Sequence, residues 1–254
     1  MNRFILLLLS SLFFLTACEK IPPTLTFDWG ICEAGADSQE VLVETNREVV
    51  SVHVWYASGS QKEVSGSEIE LNERGEGYYI GDWFILEVQN GETCQIRISA
   101  APNDSGCVRW LQLCADGRTH RNPPLETADA VFYQSATGKG RTVIPTPNPT
   151  EDYQRGRLIV RDAEENNVAR LLWIHNCKSF WVKDEDGRTY TAGKDNGIDG
   201  PWFKIRAREP GGIGWSHYLN LFVSANETGH WRALRFYVER NDGKTDATLV
   251  VQKP

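Results

Sequence analysis

The residues of this sequence best suited to chemistry are aromatic. Trp215 lies in the glycine-rich run 210–216, with His217 and Tyr218 beside it, and Trp231 follows a later turn. Sugar rings present apolar C–H faces that stack on exposed Trp and Tyr, while neighbouring polar side chains fix the hydroxyls. A Trp set among Gly211, Gly212, Ile213 and Gly214 is hard to explain as strand filler. Trp215, His217, Tyr218 and Trp231 therefore form a candidate ligand-binding set. Trp215 would serve equally well as a plug folded over the end of a domain, and the sequence leaves both readings open. Trp83 and Trp202 head two matched strands and read as core, whereas Trp55, Trp173 and Trp181 read as core or edge packing.

Other chemistry has less support. The five His residues are scattered, and Cys-x-x-Cys, His-Glu-x-x-His, Gly-x-Ser-x-Gly and phosphate-cradling glycine loops do not occur. No catalytic residue, metal site or cofactor is expected. Two carboxylates suffice for a glycosidase, but two compact domains leave little chain for the long loops that build a cleft. The stretch 184–199, with Asp186-Gly187 and Asp195 to Asp199, offers oxygen ligands of the kind Ca²⁺ takes. Such residues more often make hairpin turns. Among the cysteines, a hairpin closing on 103–106 would set Cys94 opposite Cys114, within the separation a disulfide accepts. That pair is the first expected bridge, with buried free thiols as the other reading.

The chain has 254 residues and a net charge of -7, with no long block of one sign, so no surface for nucleic acid is expected. Asn2-Arg3 precedes an apolar run, 4–14, which is too short to span a bilayer and fits a secretory signal. Leu15-Thr16-Ala17-Cys18 follows directly and resembles the lipobox of bacterial lipoproteins. That resemblance implies a signal peptide over 1–17, lipidation of Cys18 and a short tether over 18–26. The membrane is then a partner through the lipid, at a bacterial outer membrane. Glu19-Lys20-Ile21 matches an acidic surface-export signal poorly, which leaves cell surface and periplasmic face undecided.

The elements that must carry any site are strands. Val41 and Val43; Val50, Val52 and Val54; Ile69 and Leu71 alternate, and the runs 79–88, 94–101, 107–115 and 128–134 continue the pattern between Gly, Asn, Ser and Asp clusters. About seven short strands with regular turns predict an immunoglobulin-like β-sandwich. Leu111, Leu113 and Ala115 are expected inward, as are Leu234, Phe236 and Val238, which leaves Trp231 and Tyr237 on an outer face. The sequence also repeats. Gly81-Asp-Trp-Phe84 matches Gly200-Pro-Trp-Phe203, Asn103-Asp-Ser-Gly106 matches Asn226-Glu-Thr-Gly229, and Arg109 and Arg232 stand at the same distance beyond. The fold class is accordingly all-β, with two tandem immunoglobulin-like sandwiches over 27–136 and 151–254. They are joined by a Pro/Gly-rich linker over 137–150.

Trp202-Phe203, the turn at Asn226, the strand 232–238 and the closing strand 247–252 ending in Gln252 together resemble the BACON family (Bacteroidetes-associated carbohydrate-binding, often N-terminal). The stretch 83–134 resembles it more weakly. The resemblance implies an extracytoplasmic, non-catalytic module that binds glycan or mucin. A structural spacer, or a subunit meeting an envelope protein partner, is the alternative.

Overall fold

The computed structural model describes residues 24–59, 61, 63–118, 125–145, 158–164, 166–175, 177–192, 197–208 and 216–254. The described chain is all-β and forms two immunoglobulin-like sandwiches. The first contains β1 (Trp29–Ala34), β2 (Gln39–Glu44), β3 (Ser51–Ser58), β4 (Ser65–Ile69), β5 (Glu76–Ile80), β6 (Phe84–Asn90), β7 (Cys94–Ala100), β8 (Arg109–Arg118), β9 (Leu125–Gln134) and β10 (Arg141–Pro145). The second contains β11 (Leu158–Arg161), β12 (Asn166–His175), β13 (Cys177–Asp184), β14 (Thr189–Thr191), β15 (Gly197–Asp199), β16 (Phe203–Arg208), β17 (Ser216–Val223), β18 (Arg232–Arg240) and β19 (Thr245–Gln252).

The two sandwiches share one topology. Strand order β1-β9-β8-β3-β4 recurs as β11-β19-β18-β13-β14, and β2-β7-β6-β5 recurs as β12-β17-β16-β15. In each, the first strand runs parallel to the last, Ile31 beside Val131 and Leu158 beside Leu249. The strand β10 is additional. It pairs antiparallel with β1, Thr142 opposite Glu33, so 141–145 of the expected linker is an edge strand of the first sandwich. The run 79–88 also divides. Gly81 N–H donates to Phe84 C=O at 2.9 Å, closing a tight turn between β5 and β6.

Alternation places the cores as expected. Leu111, Leu113 and Ala115 join Val43, Leu86, Ile96 and Phe132 inside the first sandwich. Leu234, Phe236 and Val238 join Phe203, Leu219 and Leu221 inside the second.

The sequence repeat is a structural lock at one end of each sandwich. A Cβ on Gly81 would stand 2.4 Å from the Phe84 ring, and one on Gly200 would stand 2.1 Å from the Phe203 ring. Only glycine lets each ring fold back. Arg109 stacks over Trp83 at 4.6 Å, and Arg232 over Trp202 at 4.1 Å. Their Nε–H groups donate to Gln134 at 2.8 Å and to Gln252 at 2.9 Å. Asn103 Nδ2–H donates to Cys107 C=O at 2.9 Å, and Asn226 donates to His230 C=O at 2.8 Å. Each turn then closes on a glycine with φ near +72°, Gly106 or Gly229, a conformation most side chains resist. The matched residues thus serve folding.

A third apolar cluster joins the sandwiches. Ile31, Trp110, Val131, Tyr133 and Ile144 from the first pack against Trp231, Ala233, Tyr237, Leu249 and Val251 of the second. Equivalent faces of equivalent sheets meet, much as in an isologous dimer. Across this interface Arg235 Nη1 lies 3.6 Å from Glu33. Tyr237 O–H donates to the same carboxylate. Burial pushes the Tyr133 hydroxyl well above its ordinary pKa, and burial reinforced by the Glu33 charge does the same for Tyr237.

Candidate functional site

The expected binding set is not assembled as expected. Trp231 lies at the interface between sandwiches and is fully buried. Its indole meets Trp110 edge-on, ring centres 5.6 Å apart. Its Nε1–H donates to Gln61 C=O at 2.5 Å, and its backbone N–H donates to Gly59 C=O at 3.0 Å. The period-2 pattern correctly placed Trp231 on an outer face. It carried no sign that a second domain covers that face, so Trp231 is withdrawn as a ligand contact. His217 and Tyr218 lie on β17, opposite Ile174 and Trp173. Their side chains, Trp215 and Cys18 are outside the described residues.

The expected bridge between Cys94 and Cys114 does not form, and both are free thiols. The segments flanking the 103–106 turn do not make a hairpin. β7 pairs with β2 and β6, whereas β8 pairs with β3 and β9 in the opposite sheet. Cys94 faces the core, and Cys114 lies on the outer face between His53 and Asp129. In the 184–199 stretch, Asp184 Oδ1 accepts Arg188 N–H at 2.9 Å and Oδ2 accepts Tyr190 O–H at 2.8 Å. Asp199 meets Arg206 at 2.7 Å. These carboxylates tie a hairpin and a strand pair, and among the described residues no three His, Cys, Asp or Glu side chains converge as metal ligands.

Where the second sandwich does not cover the first, the same outer face displays a different site. Alternate residues of β3, β8 and β9 present Ser51, His53 and Trp55; Gln112, Cys114 and Asp116; Thr127 and Asp129. Trp55 is 38% exposed, in contrast to its reading as packing. It stacks on His53, centroids 5.7 Å apart and planes 19° from parallel. Its ring edge leans over Gly66, where a Cβ would stand 2.5 Å from Cδ1. Beside it, Gln112 Nε2–H donates to Asp129 at 3.3 Å, and Thr127 O–H donates to Asp116 at 2.8 Å. Side chains two residues apart on a strand are ~6.7 Å apart, so the row from Trp55 to Ser51 spans two or three sugar rings. Counting inward and outward positions would have found this row; only the domain packing shows that it stays open.

The Ser-His-Asp combination here is not a proton relay. Ser51 Oγ lies 3.3 Å from His53 Nε2, and the same Nε2 lies 3.4 Å from Asp116. Ser51 O–H donates to Asp116 directly at 3.1 Å. A relay needs the imidazole between hydroxyl and carboxylate, one nitrogen to each. The neighbouring Cys114 thiol is pushed up to about 12 by burial and the charges of Asp129 and Asp116, which disfavours its nucleophilic thiolate.

A groove of about 420 Å³ lies between the domains. It is lined by Glu33, Lys139, Arg141, Glu185, Asp186 and Arg235 among others, with no aromatic side chain. Charges of both signs balance there, so the groove favours no ligand class. Burial raises the Glu185 carboxyl above its usual range, Asp186 adds to this, and His230 opposes it. The folded state therefore holds the Glu185 proton to higher pH than the unfolded chain, and stability falls as pH rises through that window. Glu185→Gln should raise Tm at pH 7 by about 1–3 °C and have no such effect below pH 4, as thermal melts at the two pH values would show.

No protein-family model matches the chain, and neither does any curated protein. Similar solved structures include a marsupial T cell receptor, 9% identical, covering 89% of this chain and 99% of that one at a TM-score of 0.30. The periplasmic chaperone SfaE is 13% identical, covering 90% of this chain and 98% of that one at a TM-score of 0.29. Strand order and packed cores, rather than these superpositions, define the fold.

Proposed function

We propose that the protein is a non-catalytic binding module of the cell envelope, anchored through lipid on Cys18, whose ligand is a glycan. One observation carries the binding reading: Trp55, stacked on His53 and half open to solvent, heads a polar row on a rigid sheet face. Apolar sugar faces suit the indole, and Gln112, Ser51 and Thr127 supply hydrogen-bonding groups at hydroxyl spacing. The lipobox at Cys18 and the BACON resemblance of the closing strands belong to the same reading. Sites held on strands keep their geometry better than sites on loops. For that reason Trp55 takes precedence over Trp215 as the first residue to test.

Native gels cast with a panel of neutral polysaccharides and mucin provide that test. The apparent affinity read from retardation should fall by roughly 5–30-fold for Trp55→Ala, the loss of ~1–2 kcal/mol of ring stacking, with Tm unchanged. Retardation that survives Trp55→Ala but disappears in Trp215→Ala would move the site to the 210–216 loop. No retardation by any polysaccharide would remove the glycan reading and turn the search to a protein partner.

A further inference from the structure

We propose that the outer corner of the first sandwich at β5 and β6 docks a basic, extended segment of another protein. Tyr78 and Ile80 are among the most exposed large hydrophobic side chains described, at 55% and 66%. Ile80 stands opposite Ile85, and Tyr78 opposite Glu87 one position further along the same face. The result is a small apolar patch at the rim of a four-stranded sheet whose outermost strand is β5.

Backbone phase adds a directional element. Gly81 bonds to Phe84 at the turn, and Asn90 N–H donates to Gly75 C=O at 2.8 Å. Hydrogen-bonded pairs with β6 therefore fall at odd-numbered residues of β5, which turns the N–H and C=O of even-numbered residues outward. Leu71 bridges β5 at Gly77, and Asn72 N–H takes the outward Glu76 C=O at 2.9 Å. That cover stops short of Ile80. An incoming strand can bond there while laying its side chains on Tyr78, Ile80 and Ile85.

Charge identifies the kind of strand. Residues 61–92 hold eight carboxylates against Lys62 and Arg74, a net of -6 out of the whole chain's -7. On the sheet face, Arg97 is already shared between Glu40 at 3.3 Å and Glu87 at 3.6 Å. A second copy of this chain would bring an equally acidic edge and be repelled, whereas a Lys- or Arg-bearing segment is attracted and oriented. An apolar centre ringed by complementary charge is how transient interfaces are commonly built.

The test is fluorescence anisotropy of the purified protein with a labelled decapeptide of alternating Lys and Val, beside its Glu/Val counterpart. The basic peptide should bind and the acidic one should not, with binding at least about tenfold weaker in 300 mM than in 50 mM salt. Tyr78→Lys combined with Ile80→Lys should abolish the binding at unchanged Tm, since both side chains are exposed. Val50→Lys, at another exposed position, serves as the control for general charge. Failure of the basic peptide to bind, equal binding of the acidic peptide, or equal losses in the double variant and in Val50→Lys would each overturn the proposal.

Discussion

Trp231→Ala is expected to unfold the protein at markedly lower temperature and to leave any glycan binding at Trp55 intact below that temperature. The indole is the largest fully buried side chain that the second sandwich gives to the interface, and it is enclosed by Trp110 and by the carbonyls of Gly59 and Gln61. Truncating a buried Trp costs about 3–5 kcal/mol through lost transfer energy and the cavity left behind. For a chain of this size that corresponds to a Tm lower by roughly 6–20 °C, readily followed by circular dichroism. The same change leaves the Gln61 carbonyl of the first sandwich without its indole donor, while the backbone bond to Gly59 remains, so the sandwiches should separate before either core melts. Limited proteolysis in the 146–157 segment would detect that separation as faster cleavage. A Tm within about 2 °C of wild type would sink this account and return Trp231 to the surface role its outer-face position first suggested.

Arg232→Ala and Arg109→Ala should each destabilise their own sandwich by about 3–4 kcal/mol, and lysine should not rescue either. Both arginines are buried. Arg232 donates from Nε to Gln252 and from Nη2 to Ser224 C=O at 2.7 Å and Ala225 C=O at 3.1 Å, while its plane covers Trp202. Arg109 repeats the arrangement with Gln134, Ala101 C=O and Trp83. Burial pulls the Arg109 guanidinium down to about 10, which still leaves it charged at neutral pH. Removing either side chain strands one buried acceptor, Gln134 Oε1 or Gln252 Oε1, at about 1–3 kcal/mol, and it also removes the bonds to part-buried backbone carbonyls and uncovers an indole. A lysine has one compact donor where the guanidinium has a planar fork, so it cannot reach Gln and carbonyl together or stack on the indole. Urea unfolding of Arg→Ala and Arg→Lys variants would decide the matter. Full stability in the lysine variants would mean that charge alone matters here.

Much of this fold was legible because it rests on local rules. Alternation along Leu111, Leu113 and Ala115 and along Leu234, Phe236 and Val238 assigned each strand its inward face. The paired Gly-x-Trp-Phe, Asn and Arg signatures announced a duplicated domain. Each proved to be a residue whose job is set by atoms nearby: a missing Cβ under a Phe ring, an amide closing a turn, a guanidinium on an indole. The hairpin that would have joined Cys94 to Cys114 failed on a different point. A turn of a given length permits a hairpin but does not require one, and here the chain crosses from one sheet to the other.

By itself, then, the sequence determined that the chain makes two like sandwiches, and which residues point into each core, because side-chain direction in a strand follows from period and parity. Tertiary structure alone decided the fate of the outward residues. Trp110, Trp231, Tyr133 and Tyr237 became an interface, while Trp55, Tyr78 and Ile80 stayed open to solvent. Nothing in their local sequence separates the two groups. Burial of an outer face depends on which surface of a partner domain, distant along the chain, comes to lie upon it.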